Sequence, residues 1–402
     1  MCARDKHRTD LCLEGVEMKR GQVKELSMFS RIDEAVKHAE TQTLRAIADL
    51  KGGFKYCNSI HNRYPEASND DWTQGLWTGE INVVWELTGN AVLKQAALRQ
   101  LDAYQERLSK KVNTDTHDLG FIFSPSCVAA WKLYGSEKGR ETALEAARAL
   151  AGRFQEKGGF IQAWGPMGGK GNYRLIIDCL LNIPLLFWAS EETGEQSFRR
   201  IAEMHFDSTL KNVLRPDGST FHTFFFDPET GKPLYGQTHQ GNRNDSAWAR
   251  GQAWAIYGPA LYYRYTKDSK ARTMFEKTLA FFLDHLPDSV IPYWDFDFTD
   301  GSTEPKDSSA LAIAICGMLE MSDLTGDSEL RSLASRLFEK LYETCAVKNP
   351  EVSNGQLLHG VYCRKTPTND ARDRGVDECN TWGDYFYVEA LMRLKKPGWR
   401  AY

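Results

Sequence analysis

The sequence predicts an all-α protein folded as an (α/α)6 toroid of six helical hairpins, with one small β-hairpin near 219–237. Three observations predict it. About twelve stretches carry apolar residues at helical spacing. Very short turns, marked by glycine or a capping residue, join these stretches in pairs. Longer loops rich in glycine, aromatic and polar residues separate one pair from the next. Helices ringed in two concentric layers would gather the tight turns at one end and the long loops at the other. The long-loop mouth is then the place for a site.

Taken in order, residues 1–25 are charged and aperiodic and read as a flexible N-terminal arm. Residues 26–402 read as a single domain, with no linker and no shift in composition. Helices are expected to begin near residues 28, 74, 91, 122, 137, 173, 195, 247, 269, 308, 327 and 382. The paired turns are Leu87-Thr88-Gly89-Asn90, Leu133-Tyr134-Gly135-Ser136, Glu192-Thr193-Gly194-Glu195 and Leu324-Thr325-Gly326-Asp327. Tyr265-Thr266-Lys267-Asp268-Ser269 occupies the same place without glycine. Glycine closes a helix in the left-handed conformation, and Asn, Asp or Ser opens the next. The exception to helix is 219–237. There Thr220 to Phe226 and a Pro228-Glu229-Thr230-Gly231 turn suggest two strands.

Composition narrows the function. The 402 residues carry a net charge of −4 with both signs interspersed, which gives no electrostatic case for nucleic acid or an anionic membrane surface. No apolar run reads as a membrane span, and the first 25 residues lack the apolar centre of a signal peptide. The nine cysteines are scattered and never spaced C-x-x-C, so neither a disulfide framework nor a zinc site is suggested. A cytoplasmic monomer is expected, or a periplasmic one if a leader has been removed.

Five clusters could carry chemistry. Residues 171–189 read as a buried helix bearing one carboxylate, Asp178, with Asn182 one turn on and Pro184 kinking it. A buried Asp is costly unless partnered, and burial raises its pKa. It serves either as a core cap or as a tuned acid. In Asp70-Asp71-Trp72-Thr73, Trp72 lies in a loop and can offer a flat face to a sugar, whereas Trp77 reads as core. In His117-Asp118-Leu119-Gly120-Phe121, Asp118 could be a helix cap or the second of two carboxylates used on sugars. Trp164 stands at the rim, in the run leading into the glycine-rich 168–172 stretch, which lacks the Lys-Ser/Thr ending of a phosphate loop. The densest cluster runs from His222 through His239-Gln240-Gly241-Asn242-Arg243 to Trp248, Arg250, Gln252 and Trp254. There Ser246 is expected to cap the helix, and Arg250 beside tryptophan suits a planar carboxylate on a ring. His222 and His239 as metal ligands is the rival reading. It is weakened by their spacing and the lack of a third ligand, so no metal and no cofactor are expected. No G-x-S-x-G elbow is present for serine catalysis.

Together these motifs resemble the unsaturated glucuronyl hydrolases, glycoside hydrolase family 88. The resemblance runs from about Asp71 to Leu391. It rests on Asp71-Trp72-Thr73, His117 to Phe121, Ile161 to Pro166, Ile177 to Asn182, Thr238 to Gly241, Trp248 to Trp254, Tyr293 to Phe296 and Trp382 to Leu391. It implies an (α/α)6 barrel and Δ4,5-unsaturated uronyl oligosaccharides, released from glycosaminoglycans by polysaccharide lyases, as substrates. It also implies that Asp178 protonates C4 of the vinyl ether and then activates water for addition at C5, with Asp118 tuning it. Trp72, His117, Trp164, His222, Gln240, Trp248, Arg250 and Trp254 would form the uronate subsite. The related unsaturated rhamnogalacturonyl hydrolases share the toroid, and a carbohydrate-binding toroid without turnover is the non-enzymatic alternative. Some members that prefer 6-sulfated chondroitin disaccharides carry Ser-x-x-Ser-x-Lys before Trp-Gly-Asp-Tyr. Here 363–375 departs from that pattern but is basic, and with Arg243 it is a candidate for a sulfated leaving sugar.

Overall fold

A computed structural model describes residues 26–401; the predicted arm at 1–25 lies outside the described residues. Inner and outer helices alternate along the chain. The inner ring is made by Gln74–Thr88, the segment 119–134, Pro184–Thr193 with the turn before it, Ala249–Thr266, Ser308–Thr325 and Thr381–Lys395. Each packs on the next, and the last packs on the first, which closes the ring. The outer layer is Ile32–Asp49, then Ala91–Arg99 with Leu101–Ser109, Glu137–Ala151, Gln196–Asn212, Ser269–Asp284 and Ser328–Cys345.

The sequence explains the alternation. Inner helices end at Gly89, Gly135, Gly194 and Gly326, all at positive φ, and at Lys267 with φ 56°. Asn90, Ser136, Asp268 and Asp327 then accept a backbone N–H to open the outer helix. The inner N-termini therefore all meet the long loops. Their partial positive charge favours an anionic ligand at that mouth.

Two local readings change. Residues 173–183 are not helix: Arg174–Ile176 is a strand, Ile177–Leu181 a 3-10 turn, and the α-helix begins only at Pro184. Pro184 thus kinks nothing; it fills the first helical turn, where its missing N–H costs no bond. Pro125 shapes a π segment over Ser124–Val128, and Asn82 donates to its carbonyl at 2.9 Å. Ser308–Thr325 is long and apolar enough by composition to cross a membrane, yet it is an inner helix with 83% of that stretch buried.

The hairpin expected near 219–237 is present as Thr223–Phe226 and Pro233–Gln237, joined by a turn in which Asp227 accepts from the amides of Glu229 and Thr230. Arg174–Ile176 adds a third antiparallel strand, placing Ile176 opposite Thr223 and Arg174 opposite Phe225. This sheet stands at the mouth. The other mouth loops are tied to one another by backbone bonds: His117 to Ala163 (2.7 Å), Ile177 to His222 (3.0 Å) and Ala249 to Trp294 (3.1 Å).

Ring closure is also polar. Lys55, Glu80 and Asp384 are fully buried, with Lys55 Nζ 2.6 Å from Glu80 Oε2 and 2.9 Å from Asp384 Oδ2. Gln356 donates to Glu80, and the amides of Gln356 and Leu357 donate to the other oxygen of Asp384. The cluster locks the first long loop to the first and last inner helices.

Candidate active site

Two carboxylates meet at the mouth because two segments dock closely. The strand ends at Ile176, and the 3-10 turn presents Asp178. Asn182 then donates to the Asp178 carbonyl (3.3 Å) and accepts from the Phe121 amide (2.7 Å). Gly120 lies against Asn182, where a Cβ would fall 2.3 Å from its Cα, so only glycine lets the Asp118 segment come this near. As a result one oxygen of Asp118, one of Asp178 and a ring nitrogen of His117 all lie within 4.8 Å of each other. His117 Nε2 is 3.4 Å from each carboxylate.

The environment sets their protonation. The carboxyls keep a narrow opening to the cavity, with 15% and 21% of side-chain surface exposed. Protein packs the remainder densely. Burial pushes Asp118 up to about 6, against the pull of the Thr116 hydroxyl, which donates to it at 2.7 Å. Burial and then the charge of Asp118 drive Asp178 well above the usual carboxylate range, and Arg250 only partly offsets them. Asp178 Oδ1 has no hydrogen-bond partner. His117 is completely buried, and burial with Arg153 and Arg174 holds it down at about 3, so it is neutral. Two carboxylates this close cannot both ionise cheaply, so near neutral pH the pair retains a proton, on Asp178.

His117, Asp118 and Asp178 are also, among the described residues, the group that could hold a metal. A cation there would strip the proton from Asp178. Activity is expected to survive EDTA treatment followed by desalting; complete loss, restored by one divalent cation, would reverse this assignment. His222 is excluded as a ligand through Nδ1. That atom accepts from the amides of His239 (3.0 Å) and Gln240 (3.2 Å), which leaves Nε2–H as a donor.

Above the pair opens a cavity of about 230 Å³ lined by Trp72, Asp118, Trp164, Ile176, Asp178, His222, His239, Gln240, Trp248, Arg250, Trp254 and Tyr362. Its size and aromatic walls fit a sugar ring. Trp72 donates from Nε1 to the Tyr362 hydroxyl (3.0 Å) and stacks on Trp382. Trp248 carries His222 and Arg250, each about 4.3 Å from its ring centre. Trp77 is core, as its periodicity indicates.

Every predicted site residue is gathered here except two. His117 lies beneath the carboxylates rather than on the wall. Arg243 is a correction: it is absent from the lining, half exposed, and spent on Asp297 through Nε and Nη2 and on Asp245 through Nη1. Arg250 also differs in detail. Its terminal nitrogens donate to the carbonyls of Val361 (2.5 Å) and Tyr362 (2.7 Å), with Asp307 at 3.5 Å. It thus clamps the strand Gly360–Cys363 and keeps only its remaining N–H groups and its charge for a ligand. Ser246 caps nothing; it donates to Asp295 (2.7 Å) and accepts from Arg243 N, while Trp248 opens the helix. Gln252 is a core strut bound to Gly218, Thr220 and Thr278. Sequence reasoning missed Tyr362 and considered His239 only as a metal ligand; the Val361-Tyr362-Cys363 run was the available strand signal.

A toroid with paired carboxylates under an aromatic cavity has the make-up of a glycoside hydrolase. Known proteins agree. The sequence pattern of Glycosyl Hydrolase Family 88 matches residues 54–300. The unsaturated chondroitin disaccharide hydrolase of Streptococcus pneumoniae (strain ATCC BAA-255 / R6) is 45% identical over 358 residues, 88% of this chain and 89% of that protein. The crystal structure of unsaturated glucuronyl hydrolase from Streptococcus agalactiae superposes with a TM-score of 0.90 at 41% identity, covering 95% and 96% of the two chains. An aspartate-to-asparagine mutant of that enzyme, complexed with dGlcA-GalNAc6S, superposes with a TM-score of 0.82 at 37% identity and covers 95% and 96% of the chains. The chain therefore belongs to glycoside hydrolase family 88.

Proposed function

We propose that the protein hydrolyses Δ4,5-unsaturated uronyl disaccharides derived from glycosaminoglycans, by hydration of the vinyl ether. The observation that carries this is the Asp118–Asp178 pair, with an oxygen of each within 4.8 Å of the other, beneath a cavity walled by tryptophans and Arg250; burial and the charge of Asp118 raise Asp178. A vinyl ether is attacked by a proton at carbon, which calls for an acid that still carries its proton at working pH. Asp178 gives its proton to C4, and the resulting cation is stabilised by the ring oxygen and by the charge of Asp118. Asp178, now a carboxylate, takes a proton from water as the hydroxyl adds at C5. The hemiketal opens and rearranges, releasing the adjoining sugar and leaving Asp178 protonated again. Trp72, Trp164, Trp248 and Trp254 provide flat faces for the ring, Arg250 and the neutral His222 Nε2–H supply donors, and Gln240 lies beside them. Names of relatives at 45% and 41% identity support this substrate class.

The test follows the ultraviolet absorbance of the conjugated enoate. Purified protein is expected to abolish it with unsaturated glycosaminoglycan disaccharides. Binding without loss of absorbance would mean a non-catalytic toroid, and turnover confined to an unsaturated rhamnogalacturonyl disaccharide would reassign the substrate.

A further inference from the structure

The cavity explains the unsaturated ring but leaves the sugar beyond it unassigned. The two sequence candidates for an anionic leaving sugar are already occupied. Arg243 is held by two aspartates. On the basic loop, Arg364 pairs with Glu304 and Asp373, and Lys365 donates to the Asn369 carbonyl. Arg374 donates to Tyr56 and Cys57. Thr366 and Thr368 both donate to the Asn242 carbonyl, and the Asn369 amide bonds Gly241 and Arg364, so the loop's polar groups hold its own fold. Arg372 stands exposed in solvent.

Arg174 is different. It is 8% exposed, its Nε has no hydrogen-bond partner, and no carboxylate lies within ion-pair distance among the described residues. Asp370 is the acidic group that acts on it, from beyond 4.0 Å. A buried guanidinium without a counter-ion is expensive, and burial already lowers its pKa. Its position is also directed. Two residues before the cavity-lining Ile176 on the same strand, it projects from the same sheet face. Its guanidinium carbon lies 4.7 Å from the ring centre of Trp164 and 5.1 Å from that of Phe225, and Trp164 is itself a cavity wall. The row continues to Tyr235, stacked on Phe225 and 54% exposed, so it opens outward from the catalytic pair.

We propose that Arg174 binds an oxyanion, a sulfate ester or a uronate carboxylate, on the saccharide that leaves. The inference rests on the hydrolase reading above. A planar fork in contact with two aromatic rings, with an Nε that has no partner, suits such a group.

The test compares kcat/KM for three unsaturated substrates: an unsulfated disaccharide, its sulfated counterpart, and an unsulfated tetrasaccharide whose next uronate supplies a carboxylate. Arg174→Gln is expected to lower kcat/KM about tenfold on one or both anionic substrates, chiefly through KM. Turnover of the unsulfated disaccharide should fall by a clearly smaller factor, the part due to the lost charge near His117, and Arg174→Lys should recover part of the loss. Loss on the sulfated disaccharide identifies the sulfate as the group; loss on the tetrasaccharide alone identifies the carboxylate. Equal loss on all three, or no change in either ratio, overturns the assignment. If Arg174→Gln does not fold, the same ratios in Arg174→Lys decide it: an anion-reading role shifts them, and a purely structural one leaves them fixed. Inactivity of the unaltered protein on every substrate would instead sink the hydrolase reading.

Discussion

Asp178→Asn is expected to lower kcat/KM by about 10²–10⁴-fold while leaving the fold intact and more heat-resistant. Asparagine keeps the shape and the polar edge but has no proton of suitable acidity to place on carbon. Stability moves the other way because the native state holds Asp178 well above its unfolded pKa. Its contribution is fully present below about pH 4, the unfolded value, and is lost as pH rises through the raised native value. Near neutral pH the amide removes that penalty, so apparent Tm should rise by roughly a few degrees, and the gain should vanish near pH 4. Thermal melts of both proteins at pH 4 and pH 7 check the sign. A variant that retained turnover would remove Asp178 from the chemistry. A variant that melted lower at both pH values would mean that the carboxyl is structural.

The same pair shapes the pH–rate profile. Asp118 must be ionised to steady the cation, and it titrates at about 6, so activity should fall as pH drops below that value. Asp178 must be protonated, so activity should fall again as pH rises through its higher value. The two limbs belong to the coupled pair rather than to single residues. In Asp118→Asn the acid limb should disappear, because the group that defines it is gone, and Asp178 should titrate lower without its charged neighbour. A profile taken from about pH 4 to 9 measures both effects; an acid limb that persisted unchanged would place its origin elsewhere.

Much of this architecture was legible because its signals are local. A glycine after an apolar run and an acidic or polar cap after the glycine suffice to mark a hairpin, and Gly89-Asn90, Gly135-Ser136 and Gly326-Asp327 all behave so. What was illegible depended on partners distant in sequence. Leu175 and Ile176 read as helix because an apolar run carries no period of its own, and only the pairing of Arg174 with Phe225 makes it a strand. Arg243 looked free until Asp297, 54 residues on, claimed it. Arg174 drew no attention at all, since a lone arginine acquires meaning only from the absence of a counter-ion around it. The catalytic carboxylates were visible as residue types; their separation was set by Gly120 against Asn182, a contact across 62 positions.

Lys55→Met should destabilise the protein by about 3–5 kcal/mol, because it leaves Glu80 and Asp384 facing each other without their cation in a fully buried site. The apparent Tm would fall by about 4–6 °C. Lys55 is held above its ordinary pKa even though burial opposes this, since both carboxylates favour its charged form. Glu80 is raised, because its own burial outweighs the pull of Lys55. The cluster is therefore poised, and removing the one cation forces a carboxylate to protonate or the ring to open. Combining Lys55→Met with Glu80→Gln and Asp384→Asn separates charge from packing: recovery of a large part of the loss is expected if the uncompensated acids are the cause, and no recovery would point to the lost contacts of Lys55 with Trp77 and Tyr64. The seam matters for the site as well. Trp72 stacks on Trp382, two residues before Asp384, so the wall of the cavity is built across the closure. A loosened seam should raise KM before it lowers kcat, since the catalytic pair stands on other elements, at Asp118 and the turn after Ile176. Kinetics below the melting range would measure this directly, and a fall in kcat at unchanged KM would show that the seam reaches the acid itself.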